Sequence, residues 1–437
     1  MLRRSLWWCL LGCLPAAAQV APIPTSTQLP SSPFSIRKSW VIGGTGDWDY
    51  LAIDPEAQRL YIAHSRNVQV VDLDSGSLAR QMDGFREAHA IALDDTGAYG
   101  YISDGPSDSI AVFDRSTLKV EATIQIPCPP RSIAFEPRSK LVFAVCGSNV
   151  VSPSGPQPPG HRPTGGAGRA SHGPVSTDQE NFAGISHVIA IDTQQRTAIA
   201  DIAIAGDARF AQADGGGAVY LTVGEAERFE YRDGATRHYR SPPRIARFDG
   251  PAIAAEAERI HAQLPSPDSE SPVSMDWSED DRRGARTNFS TLLLPSSCDR
   301  PQGVAVDAKD FRLFAACNDQ QLLVLNAANG RVITNLVTGP GADVVGYDPD
   351  RQLIFSANGA GYGSLTIVQQ DANTDSYDVI QTLPTLARAR TLAVDSSTGN
   401  VYLVTDYLGV DLTPRGPFGQ IKTAPVAGSF QVLVVGR

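Results

Sequence analysis

Seven polar side chains recur at one position of a repeated segment: Asp49, His89, Arg131, Arg209, Gln302, Asp343 and Arg390. Each opens a short run of mostly apolar residues that ends in an acid, as in DYLAID from Asp49 and RTLAVD from Arg390. Arginine forks favour carboxylate or phosphate partners. If the fold gathers these positions, they make a binding site for a small anionic or zwitterionic ligand. The same set also suits a polar channel mouth whose aspartates and arginines pair with each other. His64 and Asp104, at the ends of the following strands, and Trp48, beside Asp49, extend the set. Two histidines with two carboxylates suit a divalent cation or an acid–base pair. No H-x-x-x-H spacing is present, so a metal is not assigned.

Cofactor motifs are equally scarce. No C-x-x-C-H haem attachment is present. GGTGDW at residues 43–48 is glycine-rich, but no helix pattern follows it, which argues against a dinucleotide site. The sequence names no cofactor.

The elements that must hold the polar set are repeated seven times. Each copy reads as an inner strand, an acid-led turn and a second strand with an aromatic: Tyr61, Tyr101, Phe143, Tyr220, Phe314, Phe355 or Tyr402. The acid suits a turn because its side chain can bond backbone N–H groups just ahead. A third strand ending in Asp or Asn follows in most copies (Asp72, Asp114, Asp192, Asp249, Asn326), and often a fourth. Four antiparallel strands every 40 or so residues are the pattern of propeller blades. The predicted fold is all-β, a seven-bladed propeller. The fourth residue of six inner strands is Ala or Gly (Ala52, Ala92, Ala134, Ala305, Gly346, Ala393), with Gln212 the exception, as expected where strands converge on an axis. The last copy has three clear strands, and residues 35–43 (SIRKSWVIG) supply an N-terminal fourth that closes the ring. Propeller is expected over residues 35–437, with insertions at about 151–184, rich in Pro, Gly and Ser, and about 250–290, which holds a helix-like run at 252–263.

The chain begins with Arg3 and Arg4, an apolar stretch and AAAQ, which reads as a signal peptide over residues 1–18; Cys13 in LLGC offers an alternative lipid anchor. No later apolar run is long enough to span a bilayer. A periplasmic or secreted location follows. Removing two arginines takes the formal charge from −10 to −12, which disfavours nucleic acid as a partner. Four cysteines remain. Cys128 and Cys146 flank the inner hairpin of the third copy, and Cys298 and Cys317 that of the fifth, with spacings of 18 and 19. A hairpin returns its end beside its beginning, so the expected disulfides are Cys128–Cys146 and Cys298–Cys317. A thiol or redox pair at the channel mouth is the rival.

DWDYLAID (residues 47–54), FRLFAACN (311–318), IFSANGAG (354–361) and ARTLAVDSSTGNVYLVT (389–405) resemble the YncE-like proteins of the YVTN β-propeller family. The family's Tyr-Val-Thr-Asn signature is degenerate here, as LYIAHS, LFAACN and VYLVTD. The resemblance covers about residues 40–435 apart from the insertions and implies an exported propeller. The wider fold group includes quinoprotein amine dehydrogenase chains, lactonases and cell-surface proteins. The expected function is a non-catalytic, exported binding protein or scaffold that takes a small polar ligand or a protein partner on the face bearing the polar ring. The competing class is an enzyme or enzyme component, quinoprotein-like or lactonase-type.

Overall fold

The computed structural model describes residues 33–147, 185–232, 235–263, 271–276, 289–298, 300–411 and 422–437. The expected signal peptide, Cys13 and the segment 151–184 lie outside them. Residues Phe34–Arg437 form one unit.

Seven antiparallel sheets succeed one another along the chain. Their inner strands are Trp48–Asp54, Ala88–Leu93, Pro130–Glu136, Asp207–Ala213, Pro301–Asp307, Ala342–Asp348 and Leu392–Asp395. Blade 7 is completed from the other end of the chain. Ser35–Val41 pairs with Gln431–Gly436, Trp40 opposite Val432, as its fourth strand. The ring is therefore closed as the sequence predicts.

The middle strands are buried on both faces, which explains their continuous apolar runs. Alternate residues of one strand serve two different cores. In blade 1, Leu60 and Ile62 pack with Tyr402 and Val432 of blade 7, while Tyr61 and Ala63 pack with Ile102 and Phe113 of blade 2. Burying each such side chain stabilises by about 1.5–3 kcal/mol.

The register accounts for the small inner residues. Ala52 stands opposite Tyr61, Ala92 opposite Tyr101 and Ala134 opposite Phe143. Gln212 faces Tyr220, Ala305 faces Phe314, Gly346 faces Phe355 and Ala393 faces Tyr402. Cross-strand partners share a side of the sheet, so a large ring on one strand goes with a small residue on the other.

The acids close their turns as expected. Asp54 accepts from the Ala57 N–H, Glu136 from Arg138 and Ser139, Asp307 from Lys309, and Asp348 from Asp350. They also tie blades together. Arg115 of blade 2 donates from Nη2 (2.6 Å) and Nε (3.1 Å) to Asp54 of blade 1. Gln370 and Tyr347 of blade 6 donate to Asp307 of blade 5.

Blades 3 and 4 share an elaboration. The helix Gly250–His261 starts two residues before the helix-like run read from the sequence, because Asp249 caps it by accepting from the Ala252 N–H. Its Ile253 and Ala257 enter the core between blades 3 and 4. The strand Val273–Asp276 then adds in parallel to the outer strand of blade 3 as a fifth. Two hairpins, Ala226–Arg232 with Ala235–Ser241 and Leu408–Asp411 with Lys422–Pro425, follow the second strands of blades 4 and 7. By topology they rise from the face on which the inner strands begin.

Candidate functional site: the channel mouth

Near the start of the inner strand the ladder register shifts in six blades, between Trp48 and Leu51, Ala88 and Ile91, Pro130 and Ser132, Ala208 and Ala211, Pro301 and Val304, and Ala342 and Val345. Asp49, His89, Arg131, Arg209, Gln302 and Asp343 all sit inside these irregular steps. A bulge re-aims a side chain without disturbing the strand beyond it. In blade 7, Arg390 lies just before the short inner strand. The sequence reading missed the bulges, which explain why polar residues are tolerated at strand starts that otherwise feed an apolar core.

Six of the seven meet in three neighbouring pairs. His89 Nδ1 lies 3.0 Å from Asp49 Oδ2. Arg209 donates to Gln302 Oε1 at 3.0 Å and pairs with Asp207 at 2.6 Å. Arg390 Nε stands 3.7 Å from Asp343 and its Nη2 donates to the Trp48 carbonyl at 3.0 Å. Arg131 is exposed and has no ion-pair partner among the described residues. Arg209 Nε is buried and makes no hydrogen bond among the described residues.

Electrostatics link the pairs across the mouth. Burial pushes the Asp343 carboxyl up to about 6; Arg390 and Arg209 oppose the shift and Asp49 adds to it. Burial also raises the Tyr50 phenol well above its ordinary value, helped by Asp49 and Asp343. Below the ring, Tyr50 of blade 1 and Phe210 of blade 4 meet with ring centroids 5.0 Å apart. The mouth is therefore a shallow polar cup with an aromatic floor.

Glycines give the long side chains room. A Cβ on Gly105 would come within 2.7 Å of His89 Nε2, and one on Gly359 within 2.6 Å of Arg390 Cβ. Asp104-Gly105, Cys146-Gly147 and Asn358-Gly359 each end a second strand with glycine next, a sequence signal that could have been read.

The other expected site residues go elsewhere. His64 is buried, bonded through Nδ1 to Gln69 at 3.0 Å and stacked on Phe430 at 4.1 Å; burial lowers its pKa, which favours the neutral ring. Asp104 is buried and accepts from the N–H groups of Arg86 and Glu87 and the Ser107 hydroxyl, so it shapes a loop. Trp48 is buried against Phe430, with Arg388 over its ring at 4.4 Å. Only Asp49 and His89 of the suggested four-residue cluster come together, and no group of three possible metal-ligating acids, histidines or cysteines occurs among the described residues. Arg388, which the sequence reading passed over, clamps both oxygens of Asp406 at 2.8 and 2.7 Å and also pairs with Asp47.

Cys128 and Cys146 form one disulfide and Cys298 and Cys317 another, with Cα–Cα distances of 5.9 and 5.3 Å. All four cysteines are buried. No helix among the described residues is long and apolar enough to cross a membrane.

No family model matches the chain, and no curated protein does. Solved structures do. One described as the crystal structure of RRP9 WD40 repeats superposes with a TM-score of 0.56 over 91% of this chain and 96% of its own, at 11% identity. Another, described as the structure of U3-55K, gives 0.55 over 90% and 97%, also at 11% identity. The chain is a seven-bladed β-propeller. At that identity the likeness is one of fold, and propellers host many functions.

Proposed function

We propose that the chain is an exported propeller of the YncE-like kind that binds at the polar mouth of its channel and catalyses nothing. The ligand is a small anion or a polar molecule with an anionic group, or the acidic side chain of a protein partner. The observation that carries this reading is the pair of free arginine donors at the mouth: Arg131 without an ion-pair partner among the described residues and Arg209 with an unbonded Nε–H, above the Tyr50–Phe210 contact. Buried donors without partners favour a ligand oxygen. Two disulfides in a chain with an export-type start support an oxidising destination.

Native mass spectrometry of the protein purified from its own source, without reduction, tests the reading. A retained small molecule, lost in Arg209→Ala and Arg131→Ala proteins that fold normally, supports it. A bare wild-type protein that also gives no calorimetric signal with sulfate or succinate refutes it for small ligands. The enzyme reading rests on one contact, His89 to Asp49 at 3.0 Å, an orientation suited to a general base. It requires turnover that His89→Ala abolishes.

A further inference from the structure

Beneath the Tyr50–Phe210 contact the axial space opens again. A cavity of about 380 Å³ lies between the inner strands of blades 1 to 4. Its size falls in the range of roughly 300–1,000 Å³ typical of small-molecule sites. Unlike the mouth, it has aromatic and aliphatic side chains in its lining and no arginine.

The fifth residue of each repeated run is Ile53, Leu93, Phe135, Ala213, Val306, Tyr347 or Val394; all seven are partly exposed, and Leu93, Phe135 and Ala213 line the cavity. The one hydroxyl in this ring, on Tyr347, is already donated to Asp307 at 3.2 Å. The space is asymmetric for a local reason. Across the axis, Gly346 is overlaid by the side chains of Val394 and Leu392, which a Cβ there would meet at 2.5 and 2.6 Å. On the cavity side, small residues such as Ala92, Ala134 and Ala211 leave room.

The rim offers no free charge. Asp94 accepts from the Tyr99 N–H and the Thr96 hydroxyl and lies 3.5 Å from Arg115. Asp95 is held by Lys140 at 2.6 Å. An ionic ligand would find its counter-charges taken. Two polar groups remain. The exposed Gln212 donates its amide to the Ala213 carbonyl, and its Oε1 makes no bond among the described residues. It is also the only inner-strand fourth residue that is neither Ala nor Gly. The Tyr50 phenol likewise makes no bond among the described residues. Tyr50, Phe210 and Phe135 offer ring faces and edges, the surfaces that favour an aromatic guest over an aliphatic one.

We infer that this lower chamber is a second binding site, separate from the polar mouth, for a small uncharged aromatic molecule with one hydrogen-bond donor that meets Gln212. The inference does not depend on what the mouth binds.

N-phenyl-1-naphthylamine, a neutral aromatic amine whose fluorescence rises in apolar surroundings, is the probe. Saturable one-to-one binding to the oxidised, full-length protein is expected. Ala213→Phe fills the chamber from a channel-facing position and should weaken binding by about tenfold or more. Gln212→Leu removes the acceptor without filling the chamber, and should weaken it by about fivefold. Arg209→Ala, at the mouth, should leave it unchanged. Circular dichroism and thermal unfolding report whether each variant folds, and Gln212→Leu carries the test if Ala213→Phe does not. Non-saturable fluorescence, or wild-type affinity in the folded variants, overturns the inference.

Discussion

Tyr50 and Phe210 are 160 residues apart in sequence and sit on blades 1 and 4, yet their rings meet with centroids 5.0 Å apart. Blades 1 and 4 are not neighbours, so this contact spans the ring rather than following it. It also lies between the polar mouth and the lower chamber. Aromatic pairs contribute about 0.5–1.5 kcal/mol beyond area burial, so a double-mutant cycle of Tyr50→Leu and Phe210→Leu should return a coupling of that size in urea unfolding. A coupling near zero would mean the rings only share a space.

Asp343 gives the mouth a pH dependence. Its ordinary value is 3.8 and burial raises it to about 6. Between those values the unfolded chain releases the proton before the folded protein does. Stability from this group is therefore full below about pH 4 and is lost as pH rises through 6. The loss is about 1–2 kcal/mol, below the full value for the shift because the side chain is 30% exposed to channel water. Asp343→Asn should match the wild type in urea unfolding at pH 4 and exceed it at pH 7.5. The charges facing Asp343 are Arg390, Arg209 and Asp49, with His89 behind Asp49. Sulfate, whose charge is constant over this range, should bind more tightly below pH 6 in the wild type, and the part due to Asp343 should vanish in Asp343→Asn.

The sequence made the polar ring legible because one register recurs in all seven copies. It could not say which side chains would turn into the channel. Trp48 stands opposite His64 in the ladder, and the bulge that follows sends Asp49 to the mouth while both of them stay buried. A one-step irregularity of this kind reverses the side each residue faces, and periodicity alone does not reveal it. Tyr50 and Phe210 were overlooked because the second position carries no pattern, being Tyr, Ala, Ser, Phe, Gly, Val and Thr in turn. Val273–Asp276 was missed as a strand because four residues are too few for a period to show. The disulfides were readable because both pairs flank a hairpin, whose ends must meet.

Arg115 ties blade 2 to blade 1 through Asp54. It is nearly buried, as is its partner Asp54. Removing one member of a buried pair leaves the other uncompensated, which costs about 3–5 kcal/mol. Arg115→Met should therefore lower the urea midpoint by much more than Lys140→Met, which breaks the exposed pair with Asp95 and should cost under about 1 kcal/mol. Equal effects would show that the blade 1–blade 2 seam is held by its apolar core alone.

The disulfides close loops of 18 and 19 residues at the channel-mouth ends of two inner hairpins. In the chain-entropy model each should stabilise by about 3 kcal/mol. Replacing Cys298 and Cys317 together by Ser should lower stability by that order, and dithiothreitol should then have roughly half its effect on the remaining pair. Intact mass before and after reduction and alkylation checks the bonding directly. Four alkylated thiols without reduction would contradict both pairings.

The N-terminal strand Ser35–Val41 covers the outer edge of blade 7, where Val432, Leu433 and Val434 would otherwise leave backbone groups unpaired. An uncovered edge invites pairing with other chains. Removal also separates Trp40 from Tyr402, whose rings lie 5.9 Å apart. A protein lacking residues 1–43 should aggregate or oligomerise in size-exclusion chromatography with light scattering. The synthetic peptide SIRKSWV, added in excess during refolding, should restore the elution profile of the full-length protein. A truncated protein with the full-length elution profile and an unchanged unfolding midpoint would show that the propeller closes through its side-chain cores without this strand.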